Sequence, residues 1–151
     1  MNRLMAIDYG EARIGIALSD PLKIIASGYK TLKNDNNILE SILLLCKSKN
    51  VESIVIGIPF DNNSEIGDSA KKVLVFAEKL LNFFKKNDFN ITIFEQDERY
   101  TTHEAYESIK LNKVKTKKKK KIIDQIAAAK ILSNFMQSSN KIKLNLSKYN
   151  Y

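Results

Sequence analysis

The most constraining feature stands at the start of the chain, where Leu4-Met5-Ala6-Ile7 is an uninterrupted apolar run that stops at Asp8-Tyr9-Gly10. A half-buried strand alternates apolar and polar residues, so a run with no polar member reads as a strand covered on both faces. Such a strand needs a layer on either side of its sheet, which points to an α/β architecture. Ile14 to Leu18 reads as a second strand closing at Ser19-Asp20-Pro21, and Ile25 to Leu32 as a third. Short turns join these three strands into an antiparallel meander.

Helical spacing follows at Ile38, Leu39, Ile42, Leu43 and Cys46, which makes the lone cysteine a buried apolar residue. Val51 to Ile58 is a fourth strand, broken by Pro59 and followed by the polar loop 61–65. Ala70, Val73, Leu74, Ala77, Leu80, Leu81 and Phe84 recur at three and four and predict a long helix on a sheet face. Ile91 to Phe94 gives a fifth strand running into Glu95-Gln96-Asp97-Glu98-Arg99, and Thr101 to Glu104 has the spacing of a capping box that opens another helix. Residues 113–121 hold seven lysines in nine positions, read as a loop or a frayed helix start, and Ile122 to Phe135 resumes helical spacing. The expected fold is a mixed five-stranded α/β sheet with helices on both faces, a single domain over residues 1–138 and a polar tail over 139–151.

The 151 residues suit one domain, and no run of about 18 apolar residues offers a membrane span. The start is too short in apolar residues for a signal-peptide core, so the chain is read as cytoplasmic with no membrane partner. One cysteine and one histidine cannot build a disulfide framework or a Cys/His zinc site, so any metal would need oxygen ligands. Twenty-five Lys and Arg against 17 Asp and Glu leave a net +8, which favours a polyanionic partner such as nucleic acid.

Three carboxylates stand out by position: Asp8 ends the first strand, Glu98 follows the fifth, and Asp124 lies in the first turn of the last helix. Functional groups of open α/β sheets gather at the carboxyl ends of strands. Asp124 shares a helix face with Ala128, Ile131 and Phe135, so it points to the packed side. Converging carboxylates repel one another unless cations neutralise them, and Mg²⁺ or Mn²⁺ does so while keeping waters for reaction. A pair of such ions can drive phosphodiester hydrolysis with no histidine or cysteine nucleophile. The structural alternative makes Asp124 an acid favoured by the helix dipole and Asp8 a turn former.

The segments Asp8 to Asp20, Gly57-Ile58-Pro59, Asp97 to Thr102 and Asp124 to Ala128 together resemble the YqgF (RuvX) family, in order and spacing, over residues 4–135. The resemblance implies a RuvC-like, ribonuclease H-like fold and a metal-dependent nuclease. The family is described as Holliday junction resolvases and as the nuclease that matures the 5′ end of 16S ribosomal RNA. It implies acidic metal ligands at Asp8, Glu98 and Asp124, holding two Mg²⁺ or Mn²⁺ ions. Adjacent residues of an extended segment point oppositely, and Glu98 is favoured over Asp97. The chain departs from the family in the loop from Phe60 to Gly67, which is shorter before Ser64 and lacks the first glycine, and in Tyr100.

Arg13 and Arg99 flank the carboxylates and suit phosphate oxygens, or else form ion pairs with Asp20 or Glu98. Gly10 and Gly15 admit either substrate or close packing. Thr101 and Thr102 read as helix caps first and substrate contacts second, and His103 as exposed. Lys117, Lys118, Lys119, Lys120 and Lys121 lie just before Asp124, where they can grip a nucleic-acid backbone or merely form a solvated face. The leading expectation is an endonuclease on structured RNA, acting as a monomer or weak homodimer. Branched DNA is the alternative substrate, and a non-catalytic nucleic-acid-binding factor the alternative class.

Overall fold

A computed structural model describes residues 2–61, 63, 65–99 and 116–151 and, among them, three α-helices and six β-strands. In chain order they are β1 (Arg3–Asp8), β2 (Arg13–Ser19), β3 (Ala26–Lys33), α1 (Ile38–Ser48), β4 (Val51–Ile58), α2 (Asp68–Lys86), β5 (Thr92–Asp97), α3 (Thr116–Gln137) and β6 (Ile142–Lys143). The strands form one sheet in the order β3-β2-β1-β4-β5-β6. The first three pair antiparallel, as the meander requires, and β4 lies parallel to both β1 and β5. The expected α/β class, with helices on both faces, is the observed one.

Burial follows from the apolar runs. In β1 and β4, Met5, Ile7, Ile54, Ile56 and Ile58 face α1 and α2, where they join Ile42, Cys46, Leu74 and Phe84 in the larger core. Alternate residues Leu4, Ala6 and Val55 face α3, where they pack with Ala17, Ala128, Ile131, Leu132 and Phe135. The small side chains on this second face let α3 lie close to the sheet. Removing a large aliphatic side chain of either layer from water contributes about 1.5–3 kcal/mol. The edge strand β3 is mostly exposed and carries Lys30 and Lys33, which discourage pairing with another chain.

Two expectations change. The sheet has six strands where five were expected, because Ile142–Lys143 pairs antiparallel with β5. Ile142, Leu144 and Leu146 alternate with polar residues, a strand signal diluted by the surrounding lysines and asparagines. Leu144, Leu146 and Tyr149 then pack on the larger core. The last helix also starts earlier than Ile122, running from Thr116 through the lysines. Lysine is a good helix former, and the Thr31 hydroxyl donates to the Lys121 carbonyl at 2.7 Å, tying this first stretch to β3. The helix expected from Thr101, with His103, lies outside the described residues.

Candidate active site

The parallel strands β1, β4 and β5 run the same way, so their carboxyl ends share one rim of the sheet. Asp8 is the last residue of β1 and pairs with Gly15 of β2. By alternation with Leu4 and Ala6 it belongs to the face that α3 covers. Ile7 pairs with Ile56, which sets Asp8 beside Gly57 when the register is continued by one residue.

Both neighbours of Asp8 are glycines, and each makes room for another of the carboxylate-bearing residues. A methyl group on Gly15 would stand 2.1 Å from the carbonyl oxygen of Asp124, so the helix backbone rests directly on β2 at this point. On Gly57 it would stand 2.6 Å from Ile131 Cδ1 and 3.2 Å from Glu98 Cγ. Asp124 thus approaches over one neighbour of Asp8, and Glu98 over the other. The three residues are brought to the same face at the same rim.

Asp124 is 3% exposed and lies nine residues into the described helix, not in its first turn. The dipole effect fades within the first turn, so it does not explain a buried acid here. The Asp124 carboxylate accepts a hydrogen bond from Arg13 Nε at 2.7 Å. Arg13 therefore pairs with Asp124, not with Asp20, whose carboxylate accepts the Ile24 and Ile25 N–H groups. The Ile25 N–H is the main cause holding the Asp20 carboxyl below its ordinary value.

Glu98 is 7% exposed. Its N–H donates to the Ile58 carbonyl at 3.0 Å, extending the β4–β5 pairing one step past the strand, and its carboxylate accepts from the Asn134 amide at 3.3 Å. Asp97 is exposed and accepts from Arg99 Nε at 2.8 Å. The two adjacent acids thus diverge, with Glu98 inward toward α3. Sequence reasoning does not single out Asn134, although it stands three residues beyond Ile131 and borders the same helix stripe. It also misses Asn34, whose amide donates to the Gly10 carbonyl at 2.8 Å and braces the loop that leaves Asp8.

Lys117, Lys118, Lys120 and Lys121 are exposed and Lys119 is half-buried, all in the turns of α3 before Asp124. At 1.5 Å rise per residue, Lys117 stands about 10 Å from Asp124 along the helix. The three carboxylates are hard oxygen donors, the kind that Mg²⁺ and Mn²⁺ take, so the set fits a divalent ion in its chemistry. Among the described residues no three acidic, histidine or cysteine side chains stand close enough to hold an ion together.

Strand order and layers are those of the ribonuclease H-like fold of the RuvC type. RuvC of Thermus thermophilus in complex with a Holliday junction substrate superposes with a TM-score of 0.57 at 12% identity, covering 95% of this chain and all of that one. A second Thermus thermophilus RuvC structure gives 0.55 at 11% identity, covering 94% and 99%. The chain belongs to the RuvX (YqgF) family, whose model, described as Holliday junction resolvase, matches residues 2–138. A Clostridium acetobutylicum protein named "Putative pre-16S rRNA nuclease" is 37% identical over 138 residues, covering 90% of this chain and 98% of its own. The protein of that name from Clostridium tetani is 36% identical over 138 residues, covering 90% and 96%. No helix among the described residues is long and apolar enough to cross a membrane.

Proposed function

We propose that this chain is a divalent-metal-dependent endonuclease that hydrolyses phosphodiester bonds in structured RNA, with the 5′ end of the 16S ribosomal RNA precursor as its substrate in the cytoplasm. The observation that carries the reading is the delivery of Asp8, Glu98 and Asp124 to one rim, through two glycines on either side of Asp8. These three residues would hold Mg²⁺ or Mn²⁺ once an ion draws their carboxylates closer than they stand without it; when bound, such an ion supplies an activated water and stabilises charge on the departing oxygen. Asn134 orients the Glu98 carboxylate, and Arg13 orients that of Asp124. The lysines in the turns of α3 before Asp124 present positive charge that attracts a phosphate backbone. The names carried by the clostridial relatives favour RNA over branched DNA.

The Arg13–Asp124 ion pair favours one other reading, a nucleic-acid-binding factor whose carboxylates are structural. The test incubates the protein with a 16S precursor and, separately, a four-way DNA junction, with and without Mg²⁺ or Mn²⁺, beside Asp8→Asn. Metal-dependent cutting of the precursor, lost in the variant, is the expected result. Cutting of the junction alone reassigns the substrate. Salt-sensitive binding with no cutting of either replaces the nuclease by the binding factor.

A further inference from the structure

We propose that a cavity between the end of β5 and the C-terminal tail receives one unpaired nucleobase of the substrate, next to the carboxylate rim; this rests on the nucleic-acid reading above. The cavity, about 430 Å³, lies within the roughly 300–1,000 Å³ typical of small-ligand sites. Asp97 lines it, and the next residue in the chain is Glu98. A strand of nucleic acid engaged at the rim therefore has this cavity within reach of a neighbouring nucleotide.

Its chemistry selects a base. One wall is aromatic: the rings of Phe60 and Tyr149 stand 5.9 Å apart, inclined at 38°. A base between two rings needs about 3.5 Å on each side, so these two form a single surface on which a base stacks from outside. The side-chain amides of Gln96 and Asn140 also line the cavity, and among the described residues neither has a hydrogen-bond partner. Each offers a donor and an acceptor, the complement that a base edge presents.

The charges argue against a phosphate in the same place. Glu95, 6% exposed, accepts from the Tyr149 hydroxyl and lies 3.4 Å from Lys148 Nζ. Asp97 is paired with Arg99. Each carboxylate is offset by a cation, which leaves the cavity close to neutral overall. A phosphate entering it would meet two carboxylates whose cations are already engaged. A neutral base meets an aromatic wall and two amides.

The experiment uses the full chain in chelator, where nothing is cut, and an RNA hairpin carrying six-nucleotide single-stranded extensions. Each extension base is replaced in turn by an abasic ribose, and binding is followed by fluorescence anisotropy; a DNA hairpin of the same design reports whether the sugar matters. Base stacking of this kind is worth at least about fivefold in affinity. The expected result is one abasic position that weakens binding by that factor in the parent and by nothing further in Phe60→Ala. Because Phe60 also touches the core, Asn140→Ala, at an exposed residue, is the second variant, and it lowers discrimination among bases at that position. Tyr149→Phe, which keeps the ring, retains the abasic effect. Uniform binding of all abasic probes, or a sensitive position equally sensitive in Phe60→Ala, overturns the proposal. Metal-dependent cutting with no sensitive position leaves the nuclease standing and removes the base site. A coupled sensitive position in a protein that cuts nothing does the reverse.

Discussion

Gly15→Ala tests the geometry on which the candidate site depends. The added methyl would sit 2.1 Å from the Asp124 carbonyl oxygen and 2.6 Å from its carbonyl carbon. Ordinary van der Waals separation is about 3.5 Å, so α3 and β2 must move apart by roughly 1 Å or more. Both obstructing atoms are backbone in a close-packed layer, and overpacking of this kind costs about 1–3 kcal/mol. No glycine here has a positive φ, so alanine is conformationally allowed and stiffens the unfolded chain, returning about 0.4–1 kcal/mol. A net loss of roughly 1–2 kcal/mol lowers the melting temperature by about 2–8 °C in a chain this size. Under the proposed nuclease reading, displacing Asp124 by about 1 Å is also expected to lower cleavage by around a hundredfold. Gly57→Ala is the internal comparison, since its closest obstruction is the flexible Ile131 Cδ1, and it is expected to melt above Gly15→Ala. Circular dichroism melts and cleavage rates decide the matter. A Gly15→Ala protein that melts within about 1 °C of the parent and cuts at the parental rate refutes the direct seating of α3 on β2.

Replacing Lys117 to Lys121 with glutamine is expected to weaken RNA binding and reduce the slope of log affinity against log salt by about 0.7 for each phosphate no longer neutralised, measured by anisotropy over a salt series; an unchanged slope removes these lysines from the interface. Burial, and next its bond to Glu95, raise the Tyr149 phenol above its ordinary 10.0. The folded state therefore holds that proton more tightly than the unfolded chain, so its stabilisation is complete below pH 10 and is lost as the pH rises further. Melting temperatures of the parent should fall faster above pH 10 than those of Tyr149→Phe, and parallel curves would contradict the assignment. Burial pushes the Cys46 thiol up to about 12 at 1% exposure, so a thiol reagent at mildly alkaline pH is expected to label it only at the rate of unfolding.

What is legible in the sequence follows the strength of each local signal. The doubly covered strands β1 and β4 declare themselves as continuous apolar runs, and α1 and α2 as clean helical spacing, because one layer of core dictates each pattern. Asp8 and Glu98 stand out because a strand end is a definite place in an α/β sheet. Asp124 is legible on the right helix face but too near the helix start, since seven lysines in nine positions suggest repulsion, while the helix propensity of Lys117 to Lys121 and the bond from Thr31 prevail. Sequence leaves two readings of Gly15, substrate approach or tight packing, and its neighbour proves to be the Asp124 backbone. The partners Asn34 and Asn134 act across long gaps in the chain, where no local periodicity reports them. The strand of the tail is hidden because its alternation covers only three apolar residues.

Arg13 and Asp124 meet across 111 residues of chain. A ribosome adding about 5–20 residues per second needs roughly 6 to 22 s to travel that distance. For that interval the nascent chain possesses Asp8 but not the helix that brings Asp124 over Gly15, and the sheet face around Ala6, Ala17 and Val55 stays wet. Docking of the last helix therefore drives water from that face and delivers the third carboxylate in the same motion. A chain still being made, or one stalled before α3, lacks the complete rim that the folded protein presents.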